Sequence, residues 1–120
     1  MSATLYEKYG GFGSISRVVM SFYDRLLDSD EVGPYFDDID MKRLIDHQTK
    51  FVASLLGGPA DFSDDRLEQA HRHLQIDGAD FDAMKQILSD TLADFGFEDA
   101  DRETVLGAIE ARRSKIVAGA

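Results

Sequence analysis

Residues Asp40 to Leu56 read DMKRLIDHQTKFVASLL, and their pattern predicts a helix with one apolar face. Asp40 is the expected N-cap of this helix. Gln48 stands in the middle of the apolar stripe, and His47 stands at its edge. A buried glutamine amide without hydrogen-bond partners costs about 1–3 kcal/mol, so this face is expected to look onto polar groups. The full stripe, at helical spacing, is Met41, Leu44, Ile45, Gln48, Phe51, Val52 and Leu55.

The residues before this stretch predict three shorter elements. A short helix over Thr4–Tyr9 is expected to end at Gly10-Gly11, because glycine readily adopts the positive φ angles that end helices. A second helix is expected to begin near Ser14 and to run to about residue 27. Residues 32–36, VGPYF, are too few for a full helix and fit a tight turn or one 3₁₀ turn. The apolar stripe of the second helix is Ile15, Val18, Val19, Phe22, Tyr23, Leu26 and Leu27.

The residues after the central stretch predict three further helices. The first follows Asp64 and carries Leu67, Ala70, His71 and Leu74 on one face. Asp80 is the expected cap of the next helix, whose inward residues are Phe81, Met84, Ile87, Leu88, Leu92 and Phe95. The last helix is expected to run unbroken from about Asp101 to Val117. No segment alternates like a strand, so the sequence predicts an all-α fold with residues 1–120 as a single domain.

Composition excludes several classes of function. The net charge is -10, from 23 acidic and 13 basic residues, which opposes binding to nucleic acid or to an anionic membrane. The chain has no cysteine, so it has no disulfide, no thiolate nucleophile and no C-x-x-C-H site for covalent haem. It also lacks an apolar run of 18 residues and a basic or apolar N-terminal signal, which predicts a cytoplasmic protein.

Polar residues on inward faces are the main functional signal. His71 is predicted to point inward and His73 outward, about 200° apart around their helix. A lone inward histidine is usually a core residue with its hydrogen bonds satisfied. Here, however, Tyr23, His47 and Gln48 occupy inward or edge positions on other helices, and such a group is typical of a cofactor pocket. An inward neutral imidazole can ligate haem iron, and several phenylalanines are available to line a flat apolar ligand.

Other chemistries find less support in the residues. A di-iron carboxylate site would need a second Glu-x-x-His besides Glu68-x-x-His71, and the chain has none. There is no H-E-x-x-H zinc motif, no G-x-S-x-G nucleophile elbow and no glycine-rich phosphate loop. A helical interaction module without a cofactor remains an alternative.

Taken in order, the motifs resemble a group I truncated haemoglobin, a two-over-two helical sandwich around haem, over about residues 4–117. The motifs are LYEKYGG at 5–11, FYDRLL at 22–27, VGPYF at 32–36, DMKRL at 40–44, HQTKFVASLLGGP at 47–59, AHRHL at 70–74 and DFDAM at 80–84. The resemblance implies a non-covalent haem b with His71 as the proximal iron ligand. Tyr23 and Gln48 would be the distal pair that hydrogen-bonds dioxygen. The remaining residues implied to contact haem are Phe36, Leu44, Phe51, Leu74, Phe81 and Met84.

The resemblance implies two alternative roles for His47. Many members carry a lysine or arginine there that pairs with a haem propionate, whereas some cyanobacterial members carry a histidine that binds iron as a sixth ligand. Leu44 matches the position of the usual distal histidine of other globins. Val52 replaces a phenylalanine proposed as a tunnel gate in other members, so that gate is not implied here.

The implied function is reversible binding of dioxygen, nitric oxide and carbon monoxide by a monomer or weak homodimer. Nitric oxide dioxygenase activity, which would need an unidentified reductase, and a peroxidase-like side activity are further expectations. The alternative is a six-coordinate haem protein, ligated by His47 and His71, in electron transfer or in defence against reactive nitrogen species.

Overall fold

The regular elements in the described part of the chain are all helical, which confirms the predicted all-α class. The structure is a computed structural model that describes residues 4–37, 39–57 and 76–117. The predicted helix that carries His71 and Leu74 lies outside these residues. The elements are α1 (Leu5–Lys8), α2 (Gly11–Asp28), a 3₁₀ turn (Gly33–Phe36), α3 (Met41–Leu55), α4 (Gly78–Asp94), α5 (Asp99–Glu110) and α6 (Arg113–Ile116).

The central stretch forms α3 as predicted. The Oδ1 atom of Asp40 accepts a hydrogen bond from the backbone N–H of Arg43 at 3.3 Å, so Asp40 is the N-cap. The chain turns away after Leu56 at Gly57, whose φ is 90°. Thr49 on this helix is also buried, although the sequence pattern did not place it inward. Its hydroxyl donates to the carbonyl of Ile45 at 2.7 Å and so needs no partner on another helix.

Helix α2 is the centre of the packing and lies against both α3 and α4. It begins at Gly11 rather than near Ser14, because the chain reverses at Gly10 and Gly11, with φ angles of 99° and 75°. The prediction that Leu27 faces the core was wrong, since this side chain is 44% exposed. Leu27 follows Met20 by seven residues and therefore lies on the same outer side of the helix. The buried residues of α2 are Ile15, Val18, Val19, Phe22, Tyr23 and Leu26.

The C-terminal half differs from the prediction in three places. Asp77, not Asp80, caps α4, and its Oδ1 atom accepts from the backbone N–H of Asp80 at 2.7 Å. Phe95 is exposed because α4 ends there, and Phe97 is the buried aromatic instead. The last helix is divided between α5 and α6, because Arg112 leaves the helical region (φ -104°, ψ 8°).

Helix α1 lies across the ends of two other helices. The backbone N–H of Tyr6 donates to the carbonyl of Leu56 at 2.9 Å, just after α3. The ring of Tyr9 stacks on Phe97 with a centroid distance of 3.7 Å, just before α5. None of the described helices is long and apolar enough to cross a membrane.

Candidate functional site

Tyr23 and Gln48 meet where α2 crosses α3. The Nε2 atom of Gln48 donates a hydrogen bond to the Oη atom of Tyr23 at 3.1 Å. Tyr23 is 6% exposed, and Gln48 is half-buried. The sequence placed these two residues on inward faces of separate helices, and the structure brings them into contact.

The hydroxyl of Tyr23 keeps its proton. Burial raises its pKa to about 12, because the interior disfavours the phenolate, and the bond from Gln48 opposes this effect only in part. The oxygen accepts from Gln48, so the O–H is left to donate elsewhere. Across ranges 4–37, 39–57 and 76–117 no acceptor for this proton is found. Tyr23 is therefore a neutral, buried hydrogen-bond donor at neutral pH.

Aromatic rings frame this donor on two sides. Phe36, at the end of the 3₁₀ turn, packs edge-to-face against Tyr23 with centroids 5.6 Å apart. Phe22 packs against the same ring at 5.1 Å. These contacts fix the tyrosine ring between the turn and the body of α2.

The turn that carries Phe36 fits closely against α2. Gly33 is buried, and a Cβ atom built on it would lie 2.8 Å from the carbonyl oxygen of Leu27. Its backbone N–H donates to the carbonyl of Ser29 at 2.8 Å. A side chain at residue 33 would therefore push the turn away from α2.

The other predicted pocket residues fall into three groups. Leu44 and Met84 are partly buried and pack against the core. Phe51 and Phe81 are buried, and the Arg113 guanidinium lies 4.6 Å from the ring centre of Phe81. The third group lies outside the described residues and consists of His71 and Leu74.

His47 is exposed on α3, one residue before Gln48. The part of the chain that the structure describes contains no group of three or more histidine, aspartate or glutamate side chains that could hold a metal ion. A single imidazole that ligates haem iron needs no such group.

The sequence analysis missed one contact near the site, between Tyr35 and Asp80. The Tyr35 Oη atom donates to the Asp80 Oδ2 atom at 2.6 Å. This bond, with some burial, raises the pKa of Tyr35 to about 12. The only available signal was indirect: each partner directly precedes a phenylalanine assigned to the pocket, Phe36 or Phe81.

Comparison with known proteins identifies the family. The model of the bacterial-like globins matches residues 4–118. The group 1 truncated hemoglobin of Tetrahymena pyriformis is 32% identical over 114 residues, which are 95% of this chain and 94% of that protein. The group 1 truncated hemoglobin GlbN of Synechocystis sp. is 34% identical over 98 residues, which are 78% of this chain and 79% of that protein.

Solved structures give the same result. The crystal structure of the Tetrahymena pyriformis truncated hemoglobin in its Fe(III) form has a TM-score of 0.87 at 31% identity, covering 96% of this chain and 98% of that one. The 2/2 hemoglobin of Synechococcus sp., in the cyanomet state with covalently attached heme, has a TM-score of 0.84 at 27% identity, covering 95% and 98%. The chain therefore belongs to the bacterial-like globins, within the group 1 truncated haemoglobins.

Proposed function

We propose that this globin binds dioxygen reversibly at a non-covalent haem b ligated by His71, with Tyr23 and Gln48 as distal hydrogen-bond donors. Haem binding and gas binding follow from the family. The observation that carries the finer proposal is the hydrogen bond from the half-buried Gln48 to the buried Tyr23, which leaves the tyrosine proton available.

The described residues suit the distal side of a haem. When bound, haem supplies the ferrous iron to which a diatomic gas binds. Tyr23 offers an O–H, and Gln48 both orients that hydroxyl and has a second amide N–H to give. Each hydrogen bond to the polar outer atom of dioxygen contributes about 0.5–1.5 kcal/mol. Carbon monoxide is less polar and gains less, so the pair favours dioxygen.

The apolar residues of the proposal exclude water from this donor pair. Phe36 packs on the Tyr23 ring, and Leu44 lies one helical turn before Gln48 on α3; both are partly buried. A dry surrounding strengthens a hydrogen bond to a ligand. The same proposal assigns Phe51, Leu74, Phe81 and Met84 to the haem contacts.

The exposure of His47 favours an open iron site over the six-coordinate alternative, in which His47 would reach the iron. The only histidines in the sequence are residues 47, 71 and 73. Helices α5 and α6 therefore contain no histidine that could form a covalent bond to a haem vinyl group, which supports non-covalent haem.

Nitric oxide and carbon monoxide belong to the proposed ligands. Conversion of nitric oxide to nitrate would need a separate reductase as partner. We also propose a cytoplasmic location. The protein is proposed to be a monomer or a weak homodimer, because a net charge of -10 opposes association between two copies.

The visible absorption spectrum of the reduced, ligand-free holoprotein at neutral pH tests the coordination. We expect one broad five-coordinate band. Sharp, split low-spin bands that disappear in His47→Ala would instead establish the six-coordinate alternative.

A pair of histidine variants tests the proximal ligand. His71→Ala should abolish stable haem binding, measured as haem retained through a desalting column. His73→Ala, two residues away on the predicted outer side, is the matched control and should retain haem. The reverse result would contradict the assignment of inward and outward faces.

A further inference from the structure

The turn Gly33–Phe36 is held at both of its ends. At its start, Gly33 lies against the last turn of α2, with no space for a Cβ atom. At its end, the Tyr35 hydroxyl donates to Asp80 at 2.6 Å, across 45 positions of sequence. The first contact positions the turn on α2, and the second ties it to α4.

The Asp80 end of this bond is itself fixed. The backbone N–H of Asp80 donates to the N-cap side chain of Asp77 at 2.7 Å, so Asp80 belongs to the first, capped turn of α4. A hydrogen bond to a carboxylate is about twice as strong as a neutral one. Tyr35 is half-buried, which limits competition from water.

The two partners join the segments that carry the proposed haem contacts. Phe36 follows Tyr35 directly, and Phe81 follows Asp80 directly. Phe36 in turn packs on the ring of Tyr23 at 5.6 Å. A movement of Tyr35 away from Asp80 would therefore shift the turn relative to α4 and displace Phe36 from the distal tyrosine.

We propose that Tyr35 and Asp80 are a positioning pair that sets the distance between the Phe36 turn and α4, and so controls haem retention and the orientation of Tyr23. This inference rests on the proposed haem site. Neither residue acts on the ligand directly, because both act through the phenylalanine that follows them.

Haem transfer from the holoprotein to an excess of apomyoglobin measures retention. Tyr35→Phe removes only the hydroxyl, and we expect haem loss roughly three- to tenfold faster. The matched control is Tyr9→Phe. Tyr9 also donates its hydroxyl to a carboxylate, that of Asp101, and accepts from the backbone N–H of Glu98, but it ties α1 to α5. Its haem loss should change by less than about twofold.

A second readout separates positioning from general stability. The C–O stretching frequency of the carbon monoxide form reports the polar groups that face the ligand, and it should shift in Tyr35→Phe but not in Tyr9→Phe. Asp80→Asn keeps an acceptor oxygen and should recover most of the haem retention, whereas Asp80→Ala should behave like Tyr35→Phe.

These measurements distinguish a failure of the proposed function from a failure of the positioning role. A wild-type protein that takes up no haem would overturn the proposed function together with this inference. A wild-type protein that holds haem, while Tyr35→Phe loses it no faster than Tyr9→Phe, would overturn the positioning role alone. An unshifted C–O frequency in Tyr35→Phe would overturn the link to Tyr23.

Discussion

Tyr23 is both a core residue and a polar one, because its ring packs among aromatics while its hydroxyl meets Gln48. Tyr23→Phe should keep the packing and remove the donor. We expect dioxygen to dissociate roughly two- to tenfold faster, since one hydrogen bond to the ligand is lost. Stopped-flow measurement of dioxygen release checks this, and the carbon monoxide dissociation rate, which should change less, is the internal control. An unchanged dioxygen rate would show that Gln48 alone holds the ligand.

The titration of Tyr23 predicts how stability falls at alkaline pH. Its folded pKa, about 12, lies above the unfolded value of about 10, so the unfolded chain loses its proton first. The contribution of protonated Tyr23 to the free energy of unfolding is fully present below pH 10 and is lost as the pH rises towards 12. By about pH 11 the wild type should lose roughly 1 kcal/mol that Tyr23→Phe does not lose. Urea unfolding of both holoproteins at several alkaline pH values measures the difference, and parallel curves would refute it.

At the scale of the elements, the contact between the 3₁₀ turn and α2 depends on a single glycine. Gly33→Ala would place a Cβ atom 2.8 Å from the backbone oxygen of Leu27, which cannot move as a flexible side chain can. We expect a loss of about 1–3 kcal/mol in the free energy of unfolding. The control is Gly107→Ala within α5, where no atom lies within 4 Å of the new Cβ, and it should stabilise by about 0.5–1 kcal/mol. Chemical denaturation of the two variants compares them, and equal effects would contradict the close contact.

Sequence patterns predicted the elements well where one local signal dominated. Asp40 is the N-cap of α3, as the capping rules predict. The patterns failed where tertiary geometry decided. Thr49 is buried by the packing around α3, which it tolerates because its hydroxyl bonds within its own helix, and Leu27 is exposed because it lies beyond the packed side of α2. The predicted last helix divides into α5 and α6 at Ala111 and Arg112, and neither of these residues is a glycine or a proline that would have indicated a break.

The site was predictable in its local parts and not in its long-range ones. Helical spacing placed Tyr23 and Gln48 inward, and their contact followed once α2 packed on α3. The hydrogen bond from Tyr35 to Asp80 joins residues 45 positions apart. The spacing of residues within a single helix cannot predict a contact between two such distant segments. The capping rules even assigned Asp80 the role that Asp77 performs.

For the whole molecule, the net charge of -10 predicts the response to salt. Repulsion among surplus acids weakens the folded state, and salt reduces the Debye length from about 30 Å at 0.01 M to about 8 Å at 0.15 M. Exposed ion pairs such as Lys50–Asp46 contribute little in return. The thermal midpoint of the holoprotein should therefore rise over this salt range. A triple variant, Asp28→Asn, Asp30→Asn and Glu31→Gln, removes three exposed acids and should show a smaller rise. A midpoint that falls with salt would mean that ion pairs outweigh the repulsion.

The attachment of α1 has a consequence for the order of folding. Lys8 and Tyr9 bond to Glu98 and Asp101, which lie 89 to 93 positions later in the chain. A helix of four residues does not persist alone, because nucleation costs more than so few backbone bonds return. Closing so long a loop carries an entropic cost that only the finished partner surface can offset. During synthesis, α1 leaves the ribosome before the other described helices, and it cannot complete its docking until α5 has formed.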